Sequence, residues 1–270
     1  TRGMFVAGDG KLWQVQPGTA PGQAVALEGA RSIEQLALDA KGRLWAATDA
    51  GLFRIDTRRG EAIRVLDEPF HDLQTDREGR FWAVSARGLS RVDGEAGTVA
   101  EPEPLPLATH EEPIALTSDA DGRLWLSLRN SDLMRYDPTS GEILRVGAQP
   151  EIDGGLKESG VPYLFVDRSN LLWLGGRMRG VATASADGAA FPAIFDTDLS
   201  GSAMAPGNYI RSLAEDEDGS LWIGSAGDGV KRYDSATGRF QRFDEAMRQA
   251  AGSSDPNAPL QASGIVQDAK

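Results

Sequence analysis

Short runs of alternating or apolar residues recur along the chain, and a polar turn signal of constant form follows several of them. The runs IEQLAL, YLFV and IRSLAE each end immediately before an Asp, and a Trp lies six positions after that Asp. The Trp belongs to a second short apolar run, and two further runs follow before the next copy begins, 37 to 49 residues later. Four short strands per repeat, joined by hairpins, are typical of a β-propeller blade.

The turn signal has the form Asp-x-x-Gly-x-x-Trp and occurs five times, once with Asn170 in place of the Gly. The Asp side chain can accept backbone N–H bonds in the turn, and Gly supplies the positive φ that a tight hairpin requires. Asn is the next most tolerant residue in that conformation, so its presence supports a turn. One Trp per repeat can fill the wedge between neighbouring sheets and find a partner for its N–H. The copies are DAKGRLW (39–45), DREGRFW (76–82), DADGRLW (119–125), DRSNLLW (167–173) and DEDGSLW (216–222).

The two ends of the chain carry parts of a sixth copy. The segment MFVAGDGKLWQVQ aligns with LWAATDAGLFRID, which places Phe5 where the blade Trp is expected, and residues 268–270 stand where an Asp-x-x-Gly turn begins. Pairing a C-terminal strand with the N-terminal strands would remove exposed sheet edges. The sequence therefore predicts an all-β propeller of four-stranded antiparallel blades over residues 1–270, a single domain of six blades whose C-terminal strand closes the first blade. A seven-bladed ring and a fragment of a larger propeller array are the alternatives.

These residues resemble the two-component regulator propeller repeat, whose general form is an apolar strand, Asp-x-x-Gly-x-Leu-Trp-Ile-Gly-Thr, Gly-Leu-x-Arg-Tyr-Asp and a closing Thr-Gly. The best copy runs from Ser212 to Phe243, whereas the third strand after Trp173 reads VATAS and lacks the Arg and the Asp. The resemblance implies the periplasmic sensor region of a hybrid histidine kinase or a diguanylate cyclase, with an oligosaccharide as ligand. It implies membrane attachment only through parts of the protein outside these residues, and it allows a homodimer of the full-length protein.

The amino-acid composition argues against several classes of partner and metal site. The net charge of -12 argues against nucleic acid, because phosphate binding needs clustered Lys and Arg. The absence of cysteine excludes thiolate metal sites and cysteine nucleophiles. Asp119 with Asp121, and Asp216 with Asp218, open like calcium loops, but the closing acidic residue is missing from both. No metal and no cofactor are therefore expected.

Ligand recognition is expected on the face opposite the Asp-x-x-Gly turns, because the connections there differ in length and sequence (101–113, 147–161, 191–208 and 244–263). Arginines in loops of this face suit a carboxylate, sulfate or phosphate group, and tyrosines near the starts of inner strands can stack on a sugar ring. An acidic oligosaccharide is thus a candidate ligand. The predicted ligand-binding residues are Arg87, Arg129, Asn130, Tyr163, Arg177, Arg179 and Tyr209.

Other interpretations stay open from the sequence. The arginines could instead pair with loop acids such as Glu111, Glu112, Glu151 and Asp153, and the same face could hold a protein subunit as an interaction scaffold. Enzymatic activity is not expected. The only histidines, His71 and His110, lie in different connections and are expected at the surface, and no converging set of catalytic or metal-binding side chains is evident.

Overall fold

A computed structural model of the chain describes residues 4–8, 11–15, 24–149, 155–156, 159–177, 181–185, 193–194, 208–227, 229–243, 260–261 and 265–267. Within these ranges the regular elements are β-strands. In chain order they are β1 (Met4–Gly8), β2 (Lys11–Val15), β3 (Val25–Ala26), β4 (Ile33–Leu38), β5 (Leu44–Thr48), β6 (Gly51–Asp56), β7 (Glu61–Leu66), β8 (Asp72–Thr75), β9 (Phe81–Ser85), β10 (Gly88–Asp93), β11 (Thr98–Val99), β12 (Pro113–Ser118), β13 (Leu124–Leu128), β14 (Leu133–Tyr136), β15 (Ile143–Val146), β16 (Tyr163–Val166), β17 (Leu171–Gly175), β18 (Val181–Ser185), β19 (Ala193–Ile194), β20 (Asn208–Glu215), β21 (Leu221–Gly227), β22 (Gly229–Asp234), β23 (Arg239–Arg242), β24 (Leu260–Gln261) and β25 (Ile265–Gln267).

The described strands form six antiparallel sheets. Four strands make up each of the first five, in the orders β25-β1-β2-β3, β4-β5-β6-β7, β8-β9-β10-β11, β12-β13-β14-β15 and β16-β17-β18-β19. The sixth has the order β20-β21-β22-β23, and β24 pairs with β21 beside that path. Each sheet is a meander of hairpins, so the predicted fold class, a propeller of four-stranded antiparallel blades, is confirmed.

The inner strands of successive sheets contact one another in a closed cycle. The pairs in contact are β25 with β4, β4 with β8, β8 with β12, β12 with β16, β16 with β20, and β20 with β25. The predicted pairing of a C-terminal strand with the N-terminal strand is also present, because Phe5 of β1 lies opposite Val266 of β25. The expected turn at 268–270 lies outside the described residues.

Large side chains fill the wedges between neighbouring sheets. Trp45 of the second sheet is fully buried and lies 5.6 Å, centroid to centroid, from the Phe81 ring of the third sheet. Phe5 takes the Trp place in the first sheet, as predicted, and is buried in a cluster with Leu36 and Phe53 of the second sheet. Truncating a buried Trp to Ala typically costs about 3–5 kcal/mol. These wedges are therefore the main apolar link between blades.

The Asp of each turn signal joins the turn to the wedge. In the second sheet one carboxylate oxygen of Asp39 accepts the N–H groups of Lys41 and Arg43, while the other accepts Arg43 Nε at 2.6 Å and Trp45 Nε1 at 3.0 Å. Burial alone would raise the pKa of Asp39, but the hydrogen bonds from Trp45 and Arg43 outweigh it and lower that pKa. The same Asp–Trp bond occurs in the third, fifth and sixth sheets. It is missing at Trp125, whose buried indole N–H has no partner among the described residues, so the expectation of a partner is wrong there.

The repeated Arg of the third strand also acts on the Trp. Because the two residues are opposite each other in the strand register, the guanidinium lies over the indole ring, which is favourable for a cation and an aromatic face. The distances from Cζ to the ring centroid are 5.6 Å for Arg91 and Trp82, 5.7 Å for Arg135 and Trp125, and 5.9 Å for Arg232 and Trp222. In the fifth sheet Thr183 stands opposite Trp173, and Tyr233 of the sixth sheet instead makes an edge contact with that indole.

Candidate functional site

Strand direction separates the two faces of the ring. Each inner strand from β4 to β20 ends at an Asp-x-x-Gly type turn, and those turns form what is called here the turn face. The opposite face, called the variable face, contains the first residues of these inner strands and the loops that follow the Trp strands. Six of the seven predicted ligand-binding residues are described, and all six lie on the variable face by this rule. Arg179 lies outside the described residues.

Two of the predicted arginines are paired with carboxylates. Arg87 lies 3.3 Å from Glu68 and 3.4 Å from Glu101 through its two Nη atoms, at the solvent-exposed surface. Arg129 donates from Nε to Glu112 Oε2 at 2.8 Å. Glu112 is one of the loop acids that the sequence offered as partners, so that alternative is realised at Arg129.

Glu112 also binds His71. The distance from Glu112 Oε1 to His71 Nε2 is 2.6 Å, and both side chains are about three-quarters buried. Burial alone would raise the pKa of Glu112, but the hydrogen bonds from Arg129 and His71 lower it. His71 is thus a partly buried member of a His71–Glu112–Arg129 chain that joins the third and fourth sheets, and the expectation of a surface histidine is wrong.

Asn130 has a conformational role. Its φ is 52°, in the left-handed region that Asn tolerates better than most residues. The loop around it is tight, because a Cβ added to Gly160 would lie 2.7 Å from the Asn130 backbone nitrogen. The Asn130 side chain is exposed. The left-handed conformation of Asn130 therefore shapes the tight loop after β13.

A second group of side chains meets at the inner strands of the fifth and sixth sheets. The Arg211 guanidinium lies 4.8 Å from the centroid of the Tyr209 ring, and Arg177 reaches to 5.9 Å of the same ring from the loop after β17. Burial raises the pKa of the Tyr163 hydroxyl, which accepts a hydrogen bond from Arg211 and interacts electrostatically with Glu34. We call these five residues, Glu34, Tyr163, Arg177, Tyr209 and Arg211, the channel-mouth cluster.

Glu34 enters this cluster from across the ring. It lies on β4 in the second sheet, whereas Tyr163 begins β16 in the fifth sheet, three positions further around the cycle. Its Oε1 accepts a hydrogen bond from Ser32 Oγ at 2.5 Å. Glu34 acts electrostatically on Tyr163, although the two residues belong to inner strands of sheets three positions apart in the ring. Neither Glu34 nor Arg211 is predicted from the sequence as a site residue, although each lies five residues before a motif Asp.

Asp72 is a fully buried carboxyl near the same channel. Its Oδ2 accepts the Leu116 N–H of β12 and its Oδ1 accepts the Leu73 N–H, both at 2.7 Å, and the Gln35 side chain of β4 also binds it. Asp72 therefore links three successive inner strands. Burial raises its pKa to about 7, since the hydrogen bonds offset only part of the cost of removing a charge from water.

The turn face has a groove of about 540 Å³ between the second and third sheets. Several of its charged side chains bind one another: Arg43 pairs with Asp39 at 2.6 Å and with Glu95 at 3.1 Å, and Lys41 also pairs with Glu95. Because these side chains are already paired with one another, their charges are less available to bind a ligand. The channel mouth is the better candidate site.

Two further features bear on function. Within the described ranges, no three His, Cys, Asp or Glu side chains come together as a metal site would require. In the same part of the chain, no helix has the length and apolar character needed to cross a membrane. The predicted calcium-like acids are held by arginines, with Asp121 Oδ2 at 2.5 Å from Arg123 Nη2.

Comparison with known sequences confirms the predicted resemblance in one repeat. The family described as two component regulator propeller matches residues 205–227, which include all of β20 and all of β21. No curated protein sequence matches the chain.

Solved structures with a similar fold include three of different kinds. The extracellular domain of a hybrid two component system from Bacteroides thetaiotaomicron has a TM-score of 0.65 and 18% identity, covering 95% of this chain and 35% of that one. An auxiliary nutrient binding protein from Bacteroides thetaiotaomicron has a TM-score of 0.59 and 11% identity, and the match covers 78% of this chain and 56% of that one. Virginiamycin B lyase from Staphylococcus aureus has a TM-score of 0.56 and 17% identity, and the match covers 84% of this chain and 71% of that one.

These likenesses show the propeller fold. The chain spans about a third of the length of the extracellular domains that it matches. Two of the similar structures are extracellular domains of hybrid two component systems, and an enzyme, the lyase, shares the fold at a lower TM-score.

Proposed function

We propose that this chain is the ligand-binding propeller of an extracytoplasmic sensor in a bacterial signal-transduction protein, and that it binds an oligosaccharide on its variable face. The observation that carries the proposal is the channel-mouth cluster, where aromatic rings and hydrogen-bonding groups from the second, fifth and sixth sheets meet. Sugar recognition uses such a combination, because rings pack on the apolar faces of a sugar while charged and polar groups bind its hydroxyls. The matched repeat family and the sensor-domain neighbours support the sensor role.

We further propose that the six sheets are the six blades of one ring over residues 1–270. The closed cycle of inner-strand contacts and the pairing of β25 with β1 support this count. A periplasmic location fits the extracellular sensor domains among the similar structures. The net charge of -12 favours partners other than nucleic acid.

The role is that of a binding module and not of an enzyme. The one partly buried histidine among the described residues, His71, is engaged by Glu112, and Glu112 is in turn engaged by Arg129. A histidine whose Nε2 is bound to a carboxylate has to break that bond before this nitrogen can remove a proton from a substrate. Binding without turnover is therefore the proposed activity.

A binding screen tests the proposal. Purified chain is mixed with a panel of neutral and acidic oligosaccharides, melting temperatures are recorded, and positive sugars are measured by calorimetry. We expect at least one oligosaccharide to raise the melting temperature, and Tyr209→Ala to weaken its binding by about tenfold or more. Ile63→Ala, on the exposed outer strand β7, is the matched control and should bind normally. The proposal is rejected if no oligosaccharide binds, or if Tyr209→Ala and Ile63→Ala bind equally well.

A further inference from the structure

We propose that the backbone N–H groups of Leu164 and Leu213, just inside the central channel, bind a neutral carbonyl oxygen of the ligand, such as that of the N-acetyl group of an amino sugar. Leu164 follows Tyr163 on β16, and Leu213 lies two residues after Arg211 on β20, so both are next to the channel-mouth cluster on its inner side. The inference rests on the proposed function, because it names a chemical group by which the proposed oligosaccharide is recognised.

Strand register turns these two N–H groups towards the channel. In an antiparallel pair, residues that exchange backbone hydrogen bonds alternate with residues whose N–H groups point away from the partner strand. The Asp167 N–H bonds to the Leu171 carbonyl and fixes the alternation in the fifth sheet, and the corresponding bond is present in the sixth sheet. Leu164 and Leu213 lie three residues before the motif Asp of their sheets. Their N–H groups therefore point away from β17 and β21, towards the channel.

The neighbouring sheets show which atoms such N–H groups bind. Leu73 of the third sheet and Leu116 of the fourth sheet occupy the same register position, and both donate to the Asp72 carboxylate at 2.7 Å. Leu36 of the second sheet donates in the same way to the Gln35 side-chain oxygen at 3.1 Å. An oxygen with a free lone pair is therefore the group that the inner edge of a sheet binds at this level.

The fifth and sixth sheets have no side chain that serves in this way. Tyr163 and Ser212 stand four residues before the motif Asp, at the position of the capping side chain. The Tyr163 hydroxyl, at the far end of its ring, binds Arg211, and Ser212 is 3% exposed with an Oγ that forms no hydrogen bond. Among the described residues, the Leu164 and Leu213 N–H groups have no acceptor. Polar groups left unpaired beside a channel are available to a ligand.

Burial makes a neutral acceptor more favourable than a charged one at this level. Asp72 receives two backbone N–H bonds, yet burial still raises its pKa to about 7. Such bonds therefore offset only part of the cost of burying a charge there. A carbonyl oxygen has two lone pairs and no charge, so it can accept the N–H bonds without this cost. An N-acetyl group brings such a carbonyl to a sugar, and the aromatic rings of the cluster can pack on the sugar that carries it.

Two disaccharides that differ in this group test the inference. Diacetylchitobiose and cellobiose share one sugar skeleton and linkage, but the first carries an N-acetyl group where the second carries a hydroxyl. Each is titrated into the whole chain, labelled at leucine nitrogens, while the amide resonances are recorded. We expect diacetylchitobiose to bind about tenfold more tightly and to shift the Leu164 and Leu213 resonances. The Leu73 and Leu116 resonances, whose N–H groups are bound by Asp72, should stay in place.

A substitution at Ser212 supplies an internal competitor. Ser212→Asn places an amide oxygen at the register position where Asp72 carries its carboxylate. It should bind the Leu213 N–H, slow hydrogen exchange of that amide and weaken diacetylchitobiose binding by about tenfold. Ser212→Ala is the matched control, because it removes only a hydroxyl without a partner, and it should bind the sugar as wild type does. Melting temperatures without sugar check that both variants are folded.

Either of two results would overturn the inference. The first is that the two disaccharides bind equally, or that diacetylchitobiose binds without shifting the Leu164 and Leu213 resonances. The second is that folded Ser212→Asn shows a slowed Leu213 amide and yet binds diacetylchitobiose as wild type does. If the Leu213 amide is not slowed in this variant, the wild-type resonances decide.

The inference and the proposed function fail separately. An oligosaccharide that needs Tyr209 but leaves the Leu164 and Leu213 resonances in place would support the proposed function and overturn the carbonyl site. N-methylacetamide, titrated in parallel, carries the carbonyl without a sugar. If it shifts these two resonances while no oligosaccharide binds, the site is supported and the proposed function is overturned.

Discussion

Replacing Asp72 by Asn is expected to change how the stability of this propeller depends on pH. The Asp72 carboxyl is fully buried between three inner strands, and its pKa is raised from 3.8 to about 7. Between these two values the folded state keeps the proton and the unfolded chain releases it. The free energy of unfolding therefore falls as the pH rises through this range. The contribution of Asp72 is fully present below 3.8 and is lost as the pH rises through about 7.

The shift sets the size of the effect. Each pKa unit corresponds to about 1.4 kcal/mol, so the whole range amounts to roughly 4 kcal/mol, of which about 2 kcal/mol falls between about pH 5 and pH 7. Acids whose pKa is lowered in the folded state, such as Asp39 and Glu112, act in the opposite direction as the pH falls. They are present in both proteins, so their effect cancels in the difference between wild type and variant.

The assay is urea unfolding of the wild type and Asp72→Asn at a series of pH values. The comparison uses the change in stability with pH and not its absolute value, because the Asn amide group would face one of the two backbone N–H donors that bind the carboxyl. We expect the Asn variant to gain about 2 kcal/mol relative to wild type as the pH rises from about 5 to about 7. Asp67→Asn, at an exposed carboxylate, is the control and should follow the wild type.

A constant difference would refute the reasoning. If wild type and Asp72→Asn keep the same separation within about 0.5 kcal/mol over this range, Asp72 carries its charge in the folded state and the link between its burial and its proton is wrong.

Three further substitutions test the repeat itself. Asp76→Ala removes the buried carboxylate that accepts hydrogen bonds from the Arg80 backbone N–H, Arg80 Nε and Trp82 Nε1. We expect the free energy of unfolding in urea titrations to fall by about 3 kcal/mol, and a loss under about 1 kcal/mol would contradict this. Gly51→Ala would place a Cβ 2.2 Å from the Leu66 backbone oxygen, whereas a Cβ at Gly60, where φ is 67°, would meet no atom within 4 Å. We therefore expect Gly51→Ala to lower the melting temperature more than Gly60→Ala does, and equal melting temperatures would argue against this contact. Asn170→Gly relieves a φ of 63° but removes the 2.7 Å bond to the Ala120 N–H of the neighbouring blade, so we expect a lower melting temperature and not a higher one.

The sequence alone determined the blades, because their signals are local. Strand alternation, the Asp-x-x-Gly turn and the Trp recur within a few residues, and the physical demands of a hairpin are met by those residues themselves. Asn170 illustrates this, since its left-handed φ follows from its place in the motif. The pairing of the two chain ends was also predictable, because each end shows part of the same repeat.

Only the tertiary structure decided which partners the charged side chains contact. Arg87, Arg129 and Arg177 look alike in the sequence, and the structure identifies contacts that the sequence does not: Arg87 and Arg129 bind carboxylates, and Arg177 also approaches the Tyr209 ring. Glu34 acts on Tyr163 from a sheet three positions away in the ring. The physical reason is that long side chains at a channel mouth interact through space with partners from other blades, and the choice of partner depends on how the ring closes, which no local pattern encodes.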